Sequence, residues 1–469
     1  MQIQFLGANR QVTGSSYLLH AGGLKILIDC GLFQERRFLG RNWEDFAVPP
    51  DQIDFVLLTH AHLDHCGRLP KLLAEGLTAP VITTEPSVDL ATIVLEDSAR
   101  IQEEDAQFKK KRHEREGRRG PHPEIPLYTT DDAQRAIRLL RAVPYDKPTD
   151  LNDRVTVRFH EAGHILGSAM IELAIKENGR QRCVVFSGDI GQWDKPLVRD
   201  PSLFDHASHI VMESTYGDRD HEQTGDIEGL LAQIINETVE RGGNLIIPTF
   251  AIERAQELMY HLSRLVHQNR IPHLMVFLDS PMAVDVTDVF RKYRGYLDAE
   301  TQTMLDAGQA PCRFPGLTLV RSTAESKAIN RIQGSCIVMA GSGMCTGGRI
   351  KHHLATHISR PESTILFVGY QAADTLGRLI VEGQSSVRIH GQIHPVRAQI
   401  KQLHGLSAHA DRGALWRWVD HFQDPPEHLF VTHGEEDVSL TFADHIRRTK
   451  GWHVTVPQYQ QTITCNGSA

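Results

Sequence analysis

Thr59-His60-Ala61-His62-Leu63-Asp64-His65 places three imidazoles and a carboxylate within six positions, directly after the apolar run Phe55-Val56-Leu57-Leu58. The run reads as a strand that delivers its side chains into a turn. Histidine and aspartate are ligand types expected of zinc, and a turn lets sequence neighbours aim at one or two ions, which an extended strand does not. A polar loop with Asp64 capping a following helix accounts for the carboxylate, but four ligand-type side chains at this density are rare in loops that bind nothing.

Short apolar runs flank this stretch: Tyr17-Leu18-Leu19, Leu24-Lys25-Ile26-Leu27-Ile28 and Val81-Ile82-Thr83, strands of β-meander and α/β type. The second of them ends in Asp29-Cys30-Gly31. A carboxylate there can hydrogen-bond the free nitrogen of a metal-bound histidine and fix its tautomer; a turn-forming Asp before Gly fits the local sequence equally well. Further on, Val155-Thr156-Val157-Arg158 leads into Phe159-His160-Glu161-Ala162-Gly163-His164-Ile165-Leu166-Gly167. Gly163 and Gly167 flank His164 as expected where backbone approaches a crowded ion site, and His160 competes with it as a ligand. Next, Cys183-Val184-Val185-Phe186 ends in Ser187-Gly188-Asp189. An aspartate so placed can set one oxygen on each of two ions, and three ligand-bearing strand ends in succession make a strong signal.

These motifs, His60-x-His62-x-Asp64-His65, then His164, then Asp189, resemble the successive metal motifs of the metallo-β-lactamase superfamily, with Asp29 where that superfamily has its first motif. The resemblance implies an αββα sandwich with a dizinc site along one edge of its sheets. It implies one zinc on His60, His62 and His164, the other on Asp64 and His65, and Asp189 bridging, with a hydroxide between ions roughly 3.5–4 Å apart as nucleophile.

Substrate is not chosen by that superfamily, but later segments narrow it. Ile210-Val211-Met212-Glu213-Ser214-Thr215-Tyr216-Gly217 resembles motif A of the β-CASP nucleases, Leu406-Ser407-Ala408-His409-Ala410-Asp411 their motif B, and Phe430-Val431-Thr432-His433-Gly434 their motif C. A histidine at motif C is the pattern of the RNA-processing branch. The match runs over essentially the whole chain, and the expected form is a short one without an RNA-binding N-terminal module or an appended C-terminal domain of the ribonuclease J kind. The expected class is α/β: a metallo-β-lactamase domain over 1–207 and 396–469, interrupted by a β-CASP domain over 208–395. Strands at Asn244–Pro248, Leu274–Leu278, Cys336–Ala340 and Ile365–Val368 alternate with helices at Ile252–Val266 and Gly348–His357, which predicts a mainly parallel sheet flanked by helices.

The chemistry assigns roles. Cutting a phosphodiester needs an in-line nucleophile, neutralised non-bridging oxygens and a proton for the departing 3′-oxygen. By resemblance His409 is the acid, Glu213 holds its tautomer and charge, and His433 completes the second zinc; Asp64 and Asp29 join them as catalytic residues. The glycine-rich turn Gly341-Ser342-Gly343-Met344-Cys345-Thr346-Gly347-Gly348-Arg349 can cradle a phosphate at Ser342, Gly343 and Arg349, with Arg254 and Arg378 adding backbone contacts. Surface salt bridges explain the arginines equally well, and His352-His353 reads as a phosphate contact or a helix face. Helices are expected from Ser87 to Glu104 and from Thr130 to Ala142. Between them the run Lys109 to Arg119, with Pro121 and Pro123 after it, reads as a solvated flexible loop in preference to a phosphate-touching arm.

Composition bounds the rest. The 469 residues, 41% hydrophobic and 23% charged, suit a globular protein of two or three domains. No apolar run approaches the roughly 20 residues that cross a bilayer, and the start lacks a signal-peptide pattern, so no membrane partner and a cytoplasmic location are expected. Seven scattered cysteines without a CxxC pair argue against disulfides and thiolate zinc. A net charge of −8 leaves a polyanionic partner to a local basic cleft and bound cations. The expected function is a zinc ribonuclease, with two zinc ions, acting on single-stranded RNA in the inter-domain cleft and leaving 5′-phosphate and 3′-hydroxyl ends. A homodimer is compatible with the sequence, which fixes neither oligomeric state, RNA target nor endo- against exonucleolytic mode. A small-molecule ester or thioester hydrolase leaves the long insert without purpose, a DNA nuclease of the same family departs at motif C, and a non-catalytic scaffold would lack ligands.

Overall fold

Strand Phe55–Leu57 lies inside a seven-stranded sheet, with Leu24–Ile28 on one side and Val81–Thr84 on the other, both parallel to it. The computed structural model describes residues 1–117, 124–177, 179–222, 225–372 and 375–465. They form two compact units. One comprises 1–193, 200–220 and 409–469; the other comprises 194–199 and 221–408.

The first unit holds two seven-stranded sheets. One runs in the order Thr462–Thr464, Gln2–Gly7, Ser16–Ala21, Leu24–Ile28, Phe55–Leu57, Val81–Thr84, Leu140–Val143; the other Val454–Thr455, His428–Val431, His209–Met212, Arg180–Phe186, Ala169–Glu177, Val155–Glu161, Thr149–Asp150. Alternating apolar residues of both, among them Ile3, Phe5, Leu19, Ile28, Val157, Phe186, Val211 and Phe430, are buried in one shared core. The sheets therefore pack face to face. Phe5 and Phe430 meet across the layers with ring centroids 5.1 Å apart, and the Tyr17 hydroxyl donates to Thr432 Oγ1 at 3.1 Å. Full burial of rings of this size contributes about 1.5–3 kcal/mol each. The other face of the second sheet is covered by helices Arg412–Asp420 and Glu436–Lys450 through Leu415, Trp418, Phe442 and Ile446. Helices on the outside and two sheets within make the αββα sandwich.

The second unit is built on a six-stranded sheet, ordered Leu317–Val320, Met275–Asp279, Cys336–Ala340, Leu245–Pro248, Thr364–Phe367, Gln399–Gln402, in which every neighbouring pair is parallel. Parallel strands need crossover connections, and helices such as Arg254–His267 and Ile350–His357 supply them on opposite faces. The sheet has a separate apolar core on each face.

The chain leaves the first unit after Asp220 and returns at His409, and these two ends are stapled. Arg412 Nη2 donates to Asp220 Oδ2 at 2.6 Å, the Gly413 amide to Asp220 Oδ1 at 3.1 Å, and the Arg412 amide to the Arg219 carbonyl at 2.9 Å.

Two expectations are corrected. The helix begun near Ser87 runs from Glu85 to Glu116, so Lys109–Arg112 and Arg115 ride on its last turns and not in a loop; Arg118, Arg119, Pro121 and Pro123 lie outside the described residues. A left-handed Gly117 ends the helix. The helix from Thr130 stops at Ile137, because Leu140–Val143 is taken as the edge strand beside Val81–Thr84.

Candidate metal centre

Backbone geometry divides the His-rich turn into two halves. His60 and His62 precede helix Leu63–Cys66 and His62 is extended, at φ −67° and ψ 148°, whereas Asp64 and His65 lie in the helical turn. The change of course at Leu63 sends the first pair to one point and the second pair to another. Gly31 is required beside the turn, since a Cβ there would sit 1.6 Å from the Asp64 carbonyl oxygen.

His60, His62, His164 and Asp189 form the first group of ligand-type atoms. His62 Nδ1 lies 3.1 Å from His60 Nε2 and 3.2 Å from His164 Nε2, and Asp189 Oδ2 is 3.5 Å from both Nε2 atoms. Burial depresses the pKa of all three imidazoles, His62 to about 4. Neutral rings with bare nitrogens this close repel one another unless a cation sits among them. Asp64, His65 and His433 form the second group: His65 Nε2 is 3.1 Å from His433 Nε2 and 3.2 Å from Asp189 Oδ1, and His433 Nε2 is 3.5 Å from Asp189 Oδ1 and 3.6 Å from Asp64 Oδ2. Asp189 thus presents one oxygen to each group, and buried Oδ1 receives no hydrogen bond among the described residues. Burial opposes protonation of His65 and His433, yet Asp189 with Asp29 or Asp64 outweighs it and raises both. The pocket draws positive charge, and this donor set fits a divalent metal.

The surrounding shell orients the ligands. Asp29, in a left-handed backbone conformation at φ 58°, accepts His65 Nδ1–H at 2.7 Å, the Thr59 amide at 2.7 Å and the Thr59 hydroxyl at 2.8 Å. That fixes Nε2 of His65 as the free nitrogen. His433, also left-handed at φ 47°, donates its amide to the Ala8 carbonyl at 2.7 Å, and its Nδ1 lies 3.1 Å from the Thr215 hydroxyl.

Asp189, Glu213 and His409 make a third cluster. Glu213 is already engaged: Oε1 accepts the Ile190 amide at 2.6 Å and His409 Nδ1–H at 3.2 Å, and Oε2 the Thr215 amide at 3.2 Å. Burial disfavours the His409 imidazolium, but the carboxylates of Glu213, Asp189 and Asp64 prevail and push it up to about 9. The backbone holds it in place as well. Gly191 pairs with His409 in an isolated antiparallel bridge, and the Ala410 amide donates to the Ile190 carbonyl at 2.7 Å.

The structure thus brings His60, His62, Asp64, His65, His164, Asp189, Glu213, His409, His433 and Asp29 together. His160 stands outside, bonded to Asp146 and Glu172. Ser342, Gly343, Arg349, Arg254 and Arg378 belong to the other unit. There Arg349 binds Asp279 and the Arg321 carbonyl, Arg254 the Val368 carbonyl, and Arg378 pairs with Glu382. The amides of Cys345, Gly347 and Ile350 are taken by bonds inside the glycine-rich turn. His353 binds Asp279 and His352 stacks on His390. Sequence reasoning missed Thr59, Thr215 and Ser187, whose Oγ accepts the Glu213 amide at 3.0 Å; their one signal was position next to a ligand-bearing strand end.

Comparisons with known proteins bear on the whole chain. Residues 9–165 match the metallo-beta-lactamase superfamily, 255–380 the Beta-Casp domain, and 393–457 the Zn-dependent metallo-hydrolase RNA specificity domain. Ribonuclease TTHA0252 of Thermus thermophilus is 38% identical over 463 residues, covering 99% of this chain and 100% of that protein. Transcription termination factor FttA of Methanocaldococcus jannaschii is 32% identical, covering 99% of this chain and 71% of that protein. A solved structure of a protein of unknown function from Enterococcus faecalis V583 aligns with a TM-score of 0.57 at 10% identity, over 98% of this chain and 99% of that one, a likeness of fold alone.

Proposed function

The chain belongs to the β-CASP ribonuclease family of the metallo-β-lactamase superfamily, and on that premise we propose that this metal-dependent ribonuclease uses two zinc ions to hydrolyse single-stranded RNA, leaving 5′-phosphate and 3′-hydroxyl ends. The observation that carries the zinc reading is the sharing of Asp189 between two sets of ligand atoms. A tetrahedron with zinc bonds of about 2.0–2.1 Å has edges of about 3.3–3.4 Å. The separations around both points, from 3.1 to 3.6 Å, bracket that value. Nitrogen-rich donors favour zinc over magnesium or calcium.

Two such ions, when bound, supply the charge that acidifies a water at neutral pH and screens the phosphate's non-bridging oxygens. The chain's residues do the rest. His60, His62 and His164 remain neutral because burial withholds their protons, and Asp29 holds the His65 tautomer. His409, charged by Glu213, carries the proton that the departing 3′-oxygen needs. Glu213, fixed by two amides, keeps that proton on the correct imidazole.

The test compares cleavage of 5′-labelled RNA by wild type, Asp64→Ala and His409→Ala, with metal analysis of each. Two equivalents of zinc in the wild type and zinc retained in His409→Ala are expected. A single equivalent, or products bearing 3′-phosphates, removes the mechanism.

A further inference from the structure

The last turns of helix Glu85–Glu116 carry an ordered cationic stripe that the metal chemistry does not use. Phe108, Lys111, Arg112 and Arg115 stand at i, i+3, i+4 and i+7, so they share one face of the helix. All four are exposed, Phe108 to 66%. Between Phe108 and Glu116 there are five Lys or Arg against two carboxylates, in a chain whose net charge is −8. Lys111 and Arg115 make no ion pair among the described residues, and Arg112 has only its exposed neighbour Glu116 at 2.9 Å.

The opposite face of the helix is braced by the returning chain. His113 Nδ1 binds Glu124 at 2.5 Å, the Leu127 amide donates to Gln102 Oε1 at 3.2 Å, and Thr130 binds Glu103 through its amide at 3.0 Å and its hydroxyl at 2.8 Å. Those bonds fix which face turns to solvent. Glu114 and Glu116 offset two of the five cations and Glu116 pairs with Arg112, which leaves an excess of positive charge on this exposed face, with Lys111 and Arg115 unpaired among the described residues.

The other end of the same helix is tied to the loop that carries His164, where the hydroxyls of Thr84, just before the helix, and Ser87 donate to the Gly167 carbonyl three residues on. At 1.5 Å per residue, Lys111 lies about 36 Å along the axis from Ser87. At about 3.4 Å per stacked nucleotide that is roughly 11 nucleotides.

We propose that Phe108, Lys111, Arg112 and Arg115 form a distal RNA contact that grips the phosphate backbone of long substrates about 11 nucleotides from the scissile bond, Phe108 offering a ring to an unpaired base. Repeated phosphates match repeated cations, and the aromatic ring among them matches a nucleic acid better than an acidic protein surface. The proposal rests on RNA as the substrate.

The triple variant Lys111→Gln, Arg112→Gln, Arg115→Gln preserves helix propensity, and circular dichroism confirms folding. Affinity for a single-stranded RNA of about 30 nucleotides is titrated against salt in the His409→Ala background, in which turnover is slowed enough for binding to be read first. The slope of log affinity against log salt is expected to fall by about 2, at about 0.7 per lost contact. A control triple at the exposed Lys147, Arg154 and Lys176 should leave the slope alone. In the otherwise wild-type chain, kcat and KM for an RNA of about 6 nucleotides, too short to span the distance, should be unchanged while KM for the long RNA rises. An unaltered slope, an equal loss in the control, a change in sedimentation of the protein alone, or equal effects on short and long RNA overturns the proposal. Wild type that binds long RNA through these residues yet cleaves none instead refutes the ribonuclease reading and leaves the contact standing.

Discussion

Asp189 and Asp279 are both buried carboxylates at the ends of central strands, each with histidine beside it, and they are opposites. Asp279, fully buried, is met by donors on every side: Arg349 Nη1 at 2.7 Å, His353 Nε2 at 2.7 Å and the Ser326 hydroxyl at 2.6 Å. Its charge is answered within the protein, and the cluster is complete. Around Asp189 the neighbours are imidazoles, of which burial keeps His60, His62 and His164 deprotonated, and Oδ1 receives no hydrogen bond among the described residues. A buried acid with its donors in place is architecture; one ringed by lone pairs requires a cation from outside.

That contrast can be broken in five places. Stripping the protein with a chelator should abolish cleavage of labelled RNA, and returning a divalent metal should restore it, while the melting of the second unit, read by hydrogen exchange around Asp279, stays put. Asp189→Asn or Asp64→Ala should reduce cleavage to near background and lower the metal content measured on purified protein; full metal content in Asp189→Asn would show that the bridging oxygen is dispensable. Asp279→Ala should do the converse, costing about 3–5 kcal/mol in denaturant unfolding because Arg349 and His353 lose their buried partner, with metal content intact. His409→Ala should slow cleavage by about 100-fold or more with zinc retained, and an unaltered rate would take His409 out of the reaction. Asp29→Ala should weaken metal binding by about 10- to 100-fold in a chelator competition, through a freed His65 ring.

The candidate ligands were legible because they crowd short stretches at strand ends, three histidines and an aspartate falling within six positions. The partition of these side chains into two groups of ligand-type atoms was not legible in residue types. It comes from the backbone switching from extended to helical at Leu63, and before that geometry it rested on resemblance alone. Thr59, Thr215 and Ser187 escaped notice because hydroxyls occur everywhere, and only a measured hydrogen bond separates a ring-orienting threonine from any other. The parallel sheet of the second unit was readable from alternating apolar runs and helices, with strand ends within a residue or so. The length of helix Glu85–Glu116 was not, since its last turns have no apolar stripe to mark a period; the helix persists there on propensity, on the Arg112–Glu116 pair and on the braces from the returning chain.

The staple between Asp220 and Arg412–Gly413 has a consequence for how such molecules diversify. Nearly two hundred residues depart and come back through a doorway held shut from within the first unit, so the ends of the departing polypeptide are fixed side by side whatever lies between them. Changes of length or sequence between those ends leave untouched the bond between the Ala410 amide and the Ile190 carbonyl, which holds His409 beside Glu213 on the near side of the doorway.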